Sequence, residues 1–218
     1  MMTKTLQLKK LHAEADRLHK QFGSKRLLAV HGAGCVNQPQ AMFIFINPTG
    51  KNISAYPAWK GMRAQWLGTK QIWKLFYQLG FLSRDTFAKT QALKPHEWTP
   101  AFCISLYAEL AKHKIYITNF AKSTQQTARP MKKQILQRHL ESLLAEVYLI
   151  SPKTIVTFGN ETSSLLLQKP ISVSSYTGKR KETLLIKNKR FPVYPAYYPV
   201  GQGMRNLPKA IKRIKVIL

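Results

Sequence analysis

Ala41-Met42-Phe43-Ile44-Phe45-Ile46, followed at once by Asn47-Pro48-Thr49-Gly50, is the stretch that decides how this chain folds. An unbroken apolar, β-prone run with no polar alternate reads as a strand buried on both faces, and Asn-Pro ends it in a loop. Reading outward, Thr5 to Phe22 is an opening helix, stopped by Gly23, and a Gly-rich connection at His31 to Gly34 leads into the strand. Downstream, Gly68 to Leu82 and Pro100 to Lys112 read as helices and Lys114 to Thr118 as a second strand. Pro130 opens a long helix that ends before Pro152, and Thr154 to Phe158 is a third strand. A short helix from Gly159 through Leu167, a fourth strand at Phe191 to Tyr194, and a last basic helix from Met204 complete the order. Strand and helix in this rhythm predict an α/β fold: a central four-stranded parallel sheet in a three-layer α/β/α sandwich. One domain over 1–218 is expected, with 1–24 as an N-terminal helical extension.

The charge narrows the partner. Thirty-five Lys and Arg against nine Asp and Glu give a formal charge of +26, and 169–218 hold twelve of those cations with only Glu182 against them. Such a field repels itself unless a polyanion uses it, so DNA or RNA is the expected partner. No apolar run approaches the ~18 residues that span a bilayer, so no membrane partner is expected and the protein is read as intracellular and cytoplasmic. Cys35 and Cys103 form neither a disulfide framework nor a CxxC pair. Between Asp16 and Asp85 there is no Asp or Glu at all, which argues against paired-carboxylate and hard-cation chemistry. No metal and no cofactor are expected.

In parallel sheets, ligands bind beyond the carboxyl ends of the strands. The segments to inspect are therefore Asn47 to Gly50, Asn119 to Lys122, Gly159-Asn160 and Tyr197 to Val200. These segments resemble the uracil-DNA glycosylase superfamily, from about His31 to the C-terminus. Phe45 to Gly50 is similar to its first motif in the GxNPG form of the mismatch-specific and single-strand-selective branches. Trp66-Leu67-Gly68 falls where the thermostable branch has Phe-Val-Gly. Tyr116 to Asn119 matches its YITN strand end, and Pro152 to Gly159 resembles PKVIVALG. Two departures stand out: Tyr198-Pro199-Val200 replaces the usual HPS, and the four cluster-binding cysteines of the thermostable branch are absent.

The resemblance implies a monofunctional DNA glycosylase that removes uracil or a related deaminated base, acting as a monomer on single- or double-stranded DNA. It implies that Asn47 positions the attacking water; capping the turn before Pro48 is the alternative. Tyr198, or Tyr197 beside it, is the candidate donor to the base carbonyl. Trp66 is the candidate stacking face, with core packing as the alternative, and Ile46 and Pro48 complete the pocket wall. Asn119 is the candidate reader of the base edge, with a backbone turn as the alternative. Met204 and Arg205 suit a wedge and a phosphate contact in a flexible tip, or a plain surface loop. Lys51, Lys122 and Lys209 lead the candidates for phosphate contact, with Lys60, Arg63, Lys70, Lys179, Arg180, Lys212 and Arg213 behind them. His31 is expected to be structural. A catalytically silent nucleic-acid-binding module on the same fold is the competing reading, and a hypoxanthine or xanthine glycosylase is a third.

Overall fold

Ala41–Phe45 has every side chain buried in the computed structural model of the chain, which describes residues 3–128 and 131–218. It is strand β2, with β1 (Ala33–Gly34) before it and β3 (Ile115–Asn119), β4 (Ile155–Phe158), β5 (Glu182–Ile186) and β6 (Lys189–Ala196) after it. The sheet runs β1-β3-β2-β4-β6-β5. Its inner ladders, β3-β2-β4-β6, are all parallel, as the alternation of strand and helix in the sequence predicts. Both edges are antiparallel and were not foreseen. One is the short β1 of the Gly-rich connection. The other is β5, a hairpin partner of β6 turned through Lys187 at φ 54°.

Two apolar cores show why the architecture is three-layered. On one face Phe43, Phe45, Ile117, Val156 and Phe158 pack against α2 (Gln71–Gln78), α4 (Pro100–Lys112) and α8 (Leu207–Ile217). On the other, Met42, Ile44, Ile155 and Val193 meet α5 (Lys133–Arg138), α6 (Leu140–Ile150) and α7 (Asn160–Leu167). Successive strand residues alternate between these cores, as a pleat requires.

The expected long helix is instead two, broken at the buried His139, and its supposed opening at Pro130 lies outside the described residues. A further helix, α3 (Arg84–Ala92), had no apolar stripe to announce it; Ser83 caps it instead. Residues 201–206 form a 3₁₀ turn before α8, so the tip is not a free coil. The opening helix α1 (Lys4–Phe22) buries Ala15, Leu18 and His19. Asp16 accepts two hydrogen bonds from the Arg63 guanidinium at 2.7 and 2.8 Å and lies 3.2 Å from His31 Nε2. The Thr124 amide donates to His19 Nδ1, so the ring proton sits on Nε2, which faces the Leu27 carbonyl at 2.7 Å. What read as an extension is thus fastened to loops on both sides of the strand ends.

Candidate active site

The loop after β2 is rigid because the loop after β3 is laced to it. Phe120 and Ala121 donate their amides to the Phe45 and Ile46 carbonyls at 2.6 and 2.9 Å. Gln125 N–H then reaches the Pro48 carbonyl at 3.0 Å, and Gly50 N–H the Gln125 carbonyl at 2.8 Å. Asn47 sits half-buried inside this double loop. Its Nδ2 donates to the Pro48 carbonyl at 3.0 Å, so the turn contact and a ligand contact do not compete: Oδ1 has no partner among the described residues. An amide held by its nitrogen presents an oxygen that can orient a water molecule.

Register carries the next residues to the same place. Phe45 pairs with Asn119 in the parallel ladder, so both side chains leave the sheet on the same face. Phe158 stacks on Phe45 with centroids 4.4 Å apart, Trp66 meets its edge at 5.0 Å, and Tyr198 does so at 6.3 Å. Asn47, Trp66, Asn119 and Tyr198, widely separated in sequence, therefore gather at the carboxyl ends of β2, β3 and β6.

Trp66 is held by the chain on either side of it. Ile53 N–H bonds the Leu67 carbonyl at 3.0 Å, and Asn52 Nδ2 bonds the Ala64 carbonyl at 2.8 Å. Gly68 lies at φ +78°, where a Cβ would come within 2.4 Å of Ile53. Trp66 itself takes a left-handed backbone, φ 65°, rare for a non-glycine residue. Among the described residues its Nε1 is buried without a partner, as are Asn119 Oδ1 and Ser123 Oγ. Buried polar atoms are nearly always satisfied, so these three need an explanation, as do others on Trp73, Trp98, Glu109 and His139 away from the strand ends.

Asn119 has a neighbour that the sequence did not disclose. Its Nδ2 donates to Gln65 Oε1 at 2.6 Å, and Gln65 is itself buried, with Nε2 directed at the Val30 carbonyl at 3.4 Å. A polar residue amid the apolar Ala64, Trp66 and Leu67 was the one available signal.

Tyr198 is half-buried, and its hydroxyl has no partner among the described residues. Burial pushes the phenol up to about 12, so it is a neutral donor throughout the physiological range. Gly203 packs so closely that a Cβ there would lie 2.1 Å from the Tyr198 carbonyl oxygen. Tyr197, also half-buried, lies beneath the Lys209 ammonium, 5.1 Å from the ring centroid.

Several expected contacts are corrected. Lys122 is not a phosphate ligand: it is buried, donating to Glu146 and, at 2.7 Å, to the Asn119 backbone carbonyl. Ile46 turns to the opposite core, contributing only its carbonyl to the loop pairing, while Pro48 is buried as loop support. Met204 packs against the core within its 3₁₀ turn, which removes the free apolar wedge. Arg63 is committed to Asp16, Lys70 to the last carbonyls of α3, and the buried Arg213 to the carbonyls of Pro195, Gly178 and Arg180. Lys51, Lys60, Lys179, Arg180, Arg205, Lys209 and Lys212 remain exposed. His31 is structural, stacked on His12 at 4.1 Å, and burial lowers its pKa while Asp16 opposes that shift. Among the described residues, no group of three or more His, Cys, Asp or Glu side chains is placed to hold a metal.

On the other face of β3, Glu146 accepts from Tyr116 Oη at 2.7 Å and from Thr118 Oγ1 at 3.1 and 3.2 Å, besides Lys122. Gly32 makes room for this knot, since a Cβ would stand 2.2 Å from Tyr116 Oη. Its carboxylate is therefore occupied and faces away from Asn119.

Residues 31–215 match the uracil DNA glycosylase superfamily, and the chain belongs to it. Members of that superfamily are DNA glycosylases, hydrolases of base excision repair. No curated protein matches the chain.

Proposed function

We propose that the protein is a monofunctional DNA glycosylase that excises uracil or a related deaminated base flipped from the strand. The observation that carries this reading is the gathering of two free amide oxygens, on Asn47 and Asn119, with the unpartnered Tyr198 hydroxyl at the strand ends. A flipped base enters between Trp66 and Tyr198 and is read by Asn119. Asn47 Oδ1 accepts from a water whose oxygen attacks C1′ of the deoxyribose. The C1′–N bond breaks, its electron pair leaves with the base, and the water proton passes to solvent, leaving an abasic site. Tyr198 donates to the base carbonyl oxygen as negative charge develops there. A neutral phenol is a weaker donor than a charged one, which predicts a slow enzyme. Exposed Lys51, Arg205 and Lys209 supply salt-sensitive phosphate contacts that position the strand without reading sequence.

The test uses single- and double-stranded oligonucleotides carrying uracil, hypoxanthine, xanthine or undamaged bases, with alkaline cleavage of abasic sites. Cleavage at a deaminated base, reduced roughly 10²-fold or more in Asn47→Ala, is the expected result. The tyrosine at the position of the usual histidine favours one rival, a silent DNA-binding module. Salt-sensitive binding with cleavage of no substrate would establish that rival instead.

A further inference from the structure

We infer that Gln65 sets the base specificity of the site by locking the orientation of the Asn119 amide. The inference rests on the glycosylase reading and deepens it. The Val30 carbonyl can only accept, so the Gln65 atom facing it at 3.4 Å must be the amide nitrogen. Gln65 Oε1 then necessarily faces Asn119, and because that oxygen can only accept, the Asn119 atom 2.6 Å away must be Nδ2. Asn119 Oδ1 is left over, buried and without a partner among the described residues. Reversing the Asn119 amide would set two carbonyl oxygens against each other. The backbone of Gln65 is fixed as well, since Tyr107 Oη donates to its carbonyl at 2.7 Å. Asn119 and Gln65 are each 1% exposed, so no bulk water competes for these bonds.

An amide locked in this way offers an acceptor, and it selects a base that carries a ring N–H at the matching position. Uracil N3 carries a hydrogen where cytosine N3 carries a lone pair. Hypoxanthine N1 likewise carries a hydrogen where adenine N1 does not. Guanine and xanthine both carry N1–H, so this contact separates uracil from cytosine and hypoxanthine from adenine, but not xanthine from guanine. Gln65 is a positioning residue: it touches no substrate and acts through Asn119. A site whose buried acceptor goes unpaired discriminates strongly, whereas one whose amide can turn does not.

The experiment measures single-turnover excision of uracil and of mispaired cytosine by wild type, Gln65→Met, Gln65→Asn and Gln65→Glu. Gln65→Met fills the space without an acceptor, and Gln65→Asn is too short to reach Asn119. In both, the uracil-to-cytosine ratio collapses by roughly 10²-fold, through slower uracil and newly measurable cytosine excision. Gln65→Glu keeps an acceptor for Asn119 Nδ2 and retains the ratio while slowing the reaction, which a merely structural role would not produce. Equal losses on both bases in Gln65→Met, with the ratio intact, overturn the inference. If wild type cleaves neither base, the glycosylase reading fails, and Gln65 is judged by equilibrium binding to 2′-fluoro oligonucleotides that resist hydrolysis. Preference for the 2′-fluorouridine strand over the 2′-fluorocytidine strand, lost in Gln65→Met, upholds the lock; equal binding by wild type overturns it.

Discussion

Thr118 and Asn119 are neighbours on one strand, yet they belong to two unlike polar clusters on opposite faces of the sheet. Thr118 joins Tyr116, Lys122 and Glu146 in a knot where a buried ion pair sits among further hydrogen bonds. Asn119 joins Gln65 in a pair that ends on an oxygen with no partner. An unsatisfied buried acceptor costs about 1–3 kcal/mol, so a chain that retains one has given up stability for something outside itself. The paired side is architecture, and the unpaired side is the one the proposed function assigns to the base. Lys122 touches both, holding Glu146 with the same ammonium that fixes the Asn119 carbonyl.

The largest effect expected from breaking this contrast falls on the paired side. Lys122→Met leaves the buried Glu146 carboxylate without a counter-charge, held only by the Tyr116 and Thr118 hydroxyls, and chemical denaturation is expected to show a loss of about 3–5 kcal/mol. Asn119→Leu reverses the profile: stability changes by less than about 1.5 kcal/mol, while uracil excision in a gel assay falls by roughly 10²-fold or more.

Acid is expected to act on the paired side through His139 and, beside His31, through His12, whose imidazole burial also pushes down to about 4. Burial, then nearby Lys122, pushes the His139 imidazole down to about 4. Below the unfolded value of ~6.5 the unfolded chain takes up a proton that the folded chain refuses. His139 therefore contributes stability that is whole above pH ~6.5 and lost as pH falls toward 4, by roughly 2–3 kcal/mol. Urea midpoints across that window should fall less steeply in His139→Leu, with His12 keeping the remaining slope. The smallest effect belongs to Tyr198→Phe, expected to slow excision about tenfold, the worth of one neutral hydrogen bond. Because the phenol titrates at about 12, wild-type rates should show no descending limb from this residue between pH 7 and 9.

The parallel core of the fold was legible because β2, β3 and β4 are buried on both faces and so spell β-branched and apolar runs, unbroken in β2 and interrupted only by Thr118, Asn119 and Thr157 in the other two. The edge strands were not: β1 has only two residues, and β5 alternates as half-exposed edges do. Among the candidates, Asn47, Asn119 and Tyr198 could be picked out because strand ends mark ligand positions in such sheets, and Trp66 because Trp66-Leu67-Gly68 resembles the Phe-Val-Gly of the thermostable branch. Lys122 misled because a lysine beside a loop reads as solvated until its partner is known, and Glu146 lies on a helix 24 residues away. Gln65 went unnoticed for the same reason, since its meaning lies in Asn119, 54 residues on.

The clamp of α1 on the site loops has a consequence for the order of assembly. His19 waits for an amide 105 residues downstream, and Asp16 for a guanidinium 47 residues away. During synthesis α1 emerges well before either partner, so it can reach its native seat only after β3 and the loop to Thr124 have left the ribosome. Closing so long a loop is entropically late work. The seat of α1 is therefore expected to be among the last parts of the molecule to gain hydrogen-exchange protection on refolding, and a chain cut before Thr124 to carry an undocked first helix.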